Sequence, residues 1–119
     1  MKEYKFRGWH PGRYSHQYEP KMFYDDKPGD CLVWKNQGQP LTIMQFTGLK
    51  DRNGKEVYEG DIVSFTDTYL NNMPERTGKV SFANASFYIE CSTSNHFRWT
   101  DYDVEVIGNI HENPDMVPV

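Results

Sequence analysis

The 119 residues predict a mostly β fold, a small antiparallel barrel or sandwich with the SH3-like barrel as its nearest named shape, preceded by an irregular N-terminal region. Three observations predict it. Short runs alternate apolar and polar residues at the period of a strand, as in Val63/Phe65, Val80/Phe82, Phe87/Ile89/Cys91 and Val104/Val106. Turn residues separate these runs at short intervals. Aromatic residues make up 15% of the chain against a hydrophobic content of 37%, so Phe, Tyr and Trp must supply much of the core.

Taken in order, Tyr4 to Trp9 alternates apolar and charged side chains and reads as a first strand. The following segment, His10 to Pro40, holds Pro11, Gly12, Pro20, Pro28, Gly29, Gly38 and Pro40, a density of breakers that excludes a long helix. Within it Met22-Phe23-Tyr24 and Cys31-Leu32-Val33-Trp34 read as short strand-like pieces. A structureless loop of that length is improbable inside a compact domain, so these pieces are expected to pack or to contact another subunit. Leu41 to Thr47 is the next strand. Asp51 to Gly54 supplies a turn in which Asn53 or Gly54 takes a positive φ, and Glu59-Gly60-Asp61 reverses the chain before the strand Asp61 to Thr66. Gly78 to Ala83 and Ser86 to Cys91 flank Asn84-Ala85 as a tight hairpin. Val104 to Ile110 is a final strand, and Glu112 to Asp115 begins a turn or a short terminal helix. The organisation expected is a single domain over residues 1–119, with 1–40 irregular and aromatic-rich and 41–111 the β core.

Composition and charge exclude several classes. No run reaches the roughly 18 apolar residues of a membrane helix, and MKEYKFRGW lacks the apolar core of a signal peptide, so a cytoplasmic protein without a membrane partner is expected. Cys31 and Cys91 lack CxxC spacing and read as reduced, buried thiols. Residues 1–35 carry seven Lys/Arg against five Asp/Glu and residues 36–119 six against twelve, giving +2 and -6. Neither half is a duplex-binding footprint, which needs several clustered cations.

Sites of chemistry are sparse. His10, His16, His96 and His111 fall at irregular spacings that place no two metal ligands on one face, and His96 stands near Asp101 and Asp103 in a polar loop. Asp51, Asn53 and Gly54 resemble the start of a calcium loop, but Lys55 takes the next ligand position and no bidentate Glu follows. Glu56, Glu59 and Asp61 read as solvated turn residues, with an acidic recognition knob as the alternative. The glycines form neither GxGxxG nor a P-loop, and no serine sits in a GxSxG elbow. No cofactor, no metal and no enzymatic activity are expected.

Binding residues stand out more clearly. Eight of the eighteen aromatics fall in the first 35 residues, interleaved with Arg7, Arg13 and Lys21. Trp9, Arg13, Tyr14, Tyr18, Phe23, Tyr24 and Trp34 are therefore the candidate protein interface, since Tyr, Trp and Arg are enriched at binding hot spots. A different function class, single-stranded nucleic-acid binding, places an aromatic platform at Phe97, Arg98 and Trp99, with Tyr14 to Tyr18 as a second place. The acidic balance counts against it.

Beyond these readings, four stretches in order carry a family likeness: Lys5-Phe6-Arg7-Gly8-Trp9, Lys21-Met22, the string MQFTGLKDRNGKEVYEGDIV from Met44 to Val63, and Val104 to Pro114, VEVIGNIHENP. Together they resemble the YopX family of phage and prophage proteins of low-GC Gram-positive bacteria. The chain departs from that pattern in a proline- and tyrosine-rich insert between Trp9 and Lys21 and in the polar stretch Asp67 to Thr77. The resemblance implies a phage or prophage origin and a homo-oligomer, and it implies no particular reaction. The expectation is thus a self-assembling protein-interaction module with a host or phage partner.

Overall fold

The computed structural model describes residues 4–12, 19–66, 74–92 and 94–117, and these form a mostly β fold with two antiparallel sheets. Two units divide the chain, Met1–Phe46 and Thr47–Val119. Arg13, Tyr14, Tyr18 and His16 lie outside the described residues.

In the first unit, β1 (Phe6–His10) is the middle strand, flanked by β2 (Lys21–Tyr24) and by the first half of β3 (Thr42–Lys50). Both pairings are antiparallel, with Gly8 opposite Phe23 on one side and Ile43 on the other. Between β2 and β3 lies a helix, α1 (Asp30–Asn36). This corrects the strand-like reading of Cys31 to Trp34. A run of four apolar residues fits either state, and here Pro28-Gly29 followed by Asp30 in the first turn starts a helix. Its buried residue is Cys31, and Leu32 and Val33 remain exposed.

In the second unit the end of β3 neighbours β4 (Glu56–Tyr58), where the Thr47 hydroxyl donates to the Val57 carbonyl at 2.7 Å. Three residues are too few to show alternation, which is why the sequence does not announce this strand. The chain then builds β5 (Asp61–Thr66), β6 (Arg76–Ala83), β7 (Ser86–Glu90), β8 (Asn95–His96) and β9 (Asp103–Asn109), in the sheet order β8-β7-β6-β5-β9. One of the two sheets curls as a half-barrel. The core of this unit collects Val57, Val63, Phe65, Val80, Ile89, Trp99 and Val104, of which Val63, Phe65, Val80, Ile89 and Val104 belong to alternating rows legible in the sequence. Burying each such side chain contributes on the order of 1.5–3 kcal/mol. The β6–β7 hairpin turns on Asn84 and Ala85 with φ of 54° and 60°, the left-handed pair that a two-residue turn of the primed type demands. A short 3-10 turn follows β9 at Pro114–Met116.

The two distinctive strings of this unit are built into its turns. Asp51 accepts the N–H groups of Asn53 and Lys55 on Oδ1, each at 2.9 Å, and that of Val106 on Oδ2 at 2.9 Å. Gly54 takes the positive φ, 82°, as the turn requires. Asn109 works in the same way, its Oδ1 accepting from the N–H groups of His111 at 3.0 Å and Glu112 at 2.8 Å.

Candidate functional site

The aromatic surface of the first unit is assembled by strand register and one carboxylate. With Gly8 opposite Phe23 and His10 opposite Lys21, alternation puts Gly8, His10, Lys21 and Phe23 on one face of the sheet and Arg7, Trp9, Met22 and Tyr24 on the other, with Lys21 Nζ 5.2 Å over the Phe23 ring. Asp25 then fixes the approach of α1 to the first face. Its Oδ2 accepts the N–H groups of Phe6 at 3.0 Å and Gly29 at 2.8 Å, and its Oδ1 that of Cys31 at 2.8 Å. Burial works against this charge, but the Cys31, Gly29 and Phe6 donors outweigh it and hold the carboxyl below its ordinary 3.8.

Cys31 is thereby turned inward, fully buried, its thiol directed at the Phe23 carbonyl at 3.5 Å and the Phe6 carbonyl at 3.7 Å. Burial, with Asp25 and Asp30 nearby, pushes the thiol up to about 12. It is an inert packing group rather than a nucleophile. Three residues on, Trp34 meets Phe23 edge to face, with ring centroids 6.1 Å apart and planes at 72°. His10 lies against the other side of Phe23, at 6.3 Å and 64°. Its Nδ1 accepts the Gly12 N–H at 3.0 Å, which orients the ring.

A side chain at position 8 would collide with this arrangement, since a Cβ there would stand 3.1 Å from Leu41. With glycine, Leu41 closes in and floors a cleft of about 280 Å³ lined by His10, Phe23, Trp34, Gln37, Gln39 and Leu41. Among the described residues no Lys, Arg, Asp or Glu lines it, and Lys21 Nζ stands 5.2 Å over the Phe23 ring. The Trp34 indole N–H and the Gln37 and Gln39 side-chain amides make no hydrogen bond among the described residues.

The candidate interface is therefore divided. Phe23 and Trp34 meet at the cleft, whereas half-buried Trp9 and exposed Tyr24 stand on the opposite face of the sheet. Arg13, Tyr14 and Tyr18 fall among the residues left undescribed. His10, Gln37, Gln39 and Leu41 were not singled out by sequence. The period-two spacing of Gly8 and His10 was a signal for the first, and the glutamines carry none.

The second unit disposes of its candidates differently. Trp99 is corrected from a nucleic-acid platform to a core residue: it is 3% exposed and its Nε1 donates to the Phe87 carbonyl at 3.0 Å. A 3-10 turn over Trp99–Asp101 directs the indole inward. Arg98 is exposed, and Phe97, 46% exposed, stacks on Tyr88 at 4.7 Å and 22°. Of the three platform residues, Phe97 and Arg98 stay at the surface. The acidic turn is also corrected at Asp61, which is 1% exposed and accepts the Tyr58 N–H at 2.7 Å. A carboxylate closing a buried turn is not available as a recognition knob. His96 meets two hydroxyls, Ser94 through Nε2 at 2.9 Å and Tyr102 through Nδ1 at 3.1 Å, and packs on Phe65 at 5.1 Å. Asp51, with both carboxylate oxygens engaged by backbone N–H groups, serves its turn and not a cation. Cys91 is only half-buried, and burial raises its thiol above the ordinary value.

Among the described residues no group of three or more His, Cys, Asp or Glu is placed to hold a metal ion, and no helix is long and apolar enough to cross a membrane. A model of the family described as YopX protein matches residues 10–117. Among solved structures, the chain is similar to protein EF1440 from Enterococcus faecalis, at 22% identity over 98% of this chain and 99% of that one, with a TM-score of 0.57. That likeness is one of fold. No curated protein matches the chain.

Proposed function

The chain belongs to the YopX family, and from that premise we propose that it is a phage or prophage accessory protein of the host cytoplasm that assembles with itself and acts by binding another protein rather than by catalysis. The observation that carries this reading is the surface of the first unit, where α1 leaves Leu32 and Val33 39% and 52% exposed while Trp34 borders a cleft it shares with Phe23 and Leu41. Adjacent apolar side chains held outward on a helix, beside an aromatic ring, make an exposed apolar surface of the kind that marks interaction sites. The second unit supports the reading from the other side, because its distinctive residues Asp51, Asp61 and Asn109 are engaged in turn hydrogen bonds.

The test is a tagged pull-down from host lysate with and without nuclease, run beside a Val33→Asp variant, with light scattering for subunit number. A stoichiometric, nuclease-resistant protein retained by the wild type and lost by the variant, at equal melting temperature, is the expected result. Capture unchanged by Val33→Asp moves the interface away from α1 and overturns the assignment. Recovery of nucleic acid, or of proteins that vanish with nuclease, replaces it with single-strand binding.

A further inference from the structure

We infer that the cleft of the first unit is a binding site for an uncharged planar ring with a lactam edge, a carbonyl beside a ring N–H, of nucleobase size. This goes beyond the partner-binding reading and depends only on the cleft. Phe23 and Trp34, 6.1 Å apart with planes at 72°, line the cleft together with Leu41, so a ring seated there meets aromatic and aliphatic surface.

The polar groups select the ligand. A glutamine amide presents a carbonyl acceptor and an N–H donor side by side, the complement of a lactam edge. Gln37 and Gln39 both line the cleft, and their amides make no hydrogen bond among the described residues. The Trp34 Nε1–H, also unengaged among them, is a donor for a second ring carbonyl. All three groups end a single chain segment, because the Gln39 N–H donates to the Trp34 carbonyl at 3.1 Å and folds the two glutamines back beside the indole. Among the described residues the lining holds no Lys, Arg, Asp or Glu, and the Lys21 ammonium, 5.2 Å over the Phe23 ring, opposes a cationic ring, whereas a neutral ring needs no counter-charge and loses no ionic hydration. At about 280 Å³ the space stands at the small end of ligand pockets, which run roughly from 300 to 1,000 Å³, and suits one ring system rather than an extended molecule.

The experiment is an NMR titration of the full-length, 15N-labelled protein with uracil and hypoxanthine, followed at the indole Nε1–H signals. Trp99, whose Nε1–H is bonded to the Phe87 carbonyl, is an internal control. The expected result is a saturable shift of the Trp34 signal with the Trp99 signal still, and affinity at least fivefold weaker in Gln37→Leu, Gln39→Leu or the double variant. These glutamines are exposed, so unchanged spectral dispersion elsewhere verifies the variants' fold. A parallel arm with a short uridine oligonucleotide identifies the source of the ring: binding by free uracil assigns a small molecule, and binding strengthened by the oligonucleotide assigns a base presented on a strand. No Trp34 shift with either ring, equal binding of p-cresol, which lacks the lactam edge, or unweakened binding in the double variant overturns the proposal. None of these results depends on the pull-down, so failure here and failure of the protein-partner reading are separately visible.

Discussion

The two units use the same kinds of side chain to opposite ends. In Thr47–Val119 the singled-out residues are mostly consumed, although Phe82 and Phe97 stay exposed: Phe65 and Trp99 fill the core, Asp51 and Asn109 tie turns, and Asp61 is buried beneath one. In Met1–Phe46 one carboxylate, Asp25, does the comparable tying, and Trp34, Gln37 and Gln39 keep donors and acceptors unengaged among the described residues. The difference teaches where to look for function. A family string that is specific yet carries no chemistry is explained if its residues are needed to make the turns of the second unit, leaving recognition to the first.

Substitutions of like chemistry in the two units test that contrast most directly. Trp99→Ala removes a buried indole and its hydrogen bond to Phe87, and should cost about 3–5 kcal/mol in urea unfolding. Trp34→Ala, at a half-buried ring, should cost at most about 1.5 kcal/mol, the range of one aromatic pair. Equal losses would break the comparison.

A smaller effect is expected at the turn carboxylates. Asp51→Ala leaves the N–H groups of Asn53, Lys55 and Val106 without their acceptor and should destabilise by about 1–3 kcal/mol. The pH dependence gives the sign independently. Burial opposes the Asp51 charge, but the Val106, Lys55 and Asn53 donors and the Lys55 ammonium hold the carboxyl below its ordinary 3.8 in the folded state. The unfolded chain therefore takes up the proton first. The stabilisation is complete above that ordinary value and is lost as pH falls from there through the lower folded value. Asp25 behaves likewise in the first unit. Urea midpoints measured between pH 6 and pH 2 should fall with acid in the wild type and fall less in Asp51→Asn.

Much of the second unit was legible because half-buried strands write their burial in a period of two: Asp61 to Thr66 is the observed β5, and Asn84-Ala85 is the observed turn. What was not legible depends on contacts distant in sequence. Cys31 to Trp34 is an exception: it is apolar throughout and shows no period, and the local Pro28-Gly29-Asp30 start, with the Asp25 carboxylate accepting from Gly29 and Cys31, makes it a helix. Trp99 lies in a polar loop, and nothing local shows that a 3-10 turn directs its ring inward. The cleft draws its six residues from β1, β2, α1 and the segment before β3, which only the fold brings together. The candidate interface residues are divided between two faces for the same reason. Phe23 and Tyr24 are neighbours in sequence and were grouped, yet adjacent strand residues face opposite ways.

The smallest expected effects lie on exposed α1 and on the thiol beneath it, and they separate surface from scaffold within one turn of helix. Val33→Ser alters a side chain that is 52% exposed and should change stability by no more than about 0.5 kcal/mol. Two residues earlier, Cys31 is fully buried and its thiol is pushed up to about 12, so at pH 8 it is protonated as well as inaccessible. A disulfide reagent added to the native protein at that pH should leave Cys31 unmodified, and the same reagent in urea should titrate both cysteines. The rate in the native protein then reports local opening of α1 from the strand face. Rapid native labelling of Cys31, identified by peptide mapping, would mean that α1 detaches readily, and the cleft it borders with Trp34 would lose its standing as a preformed site.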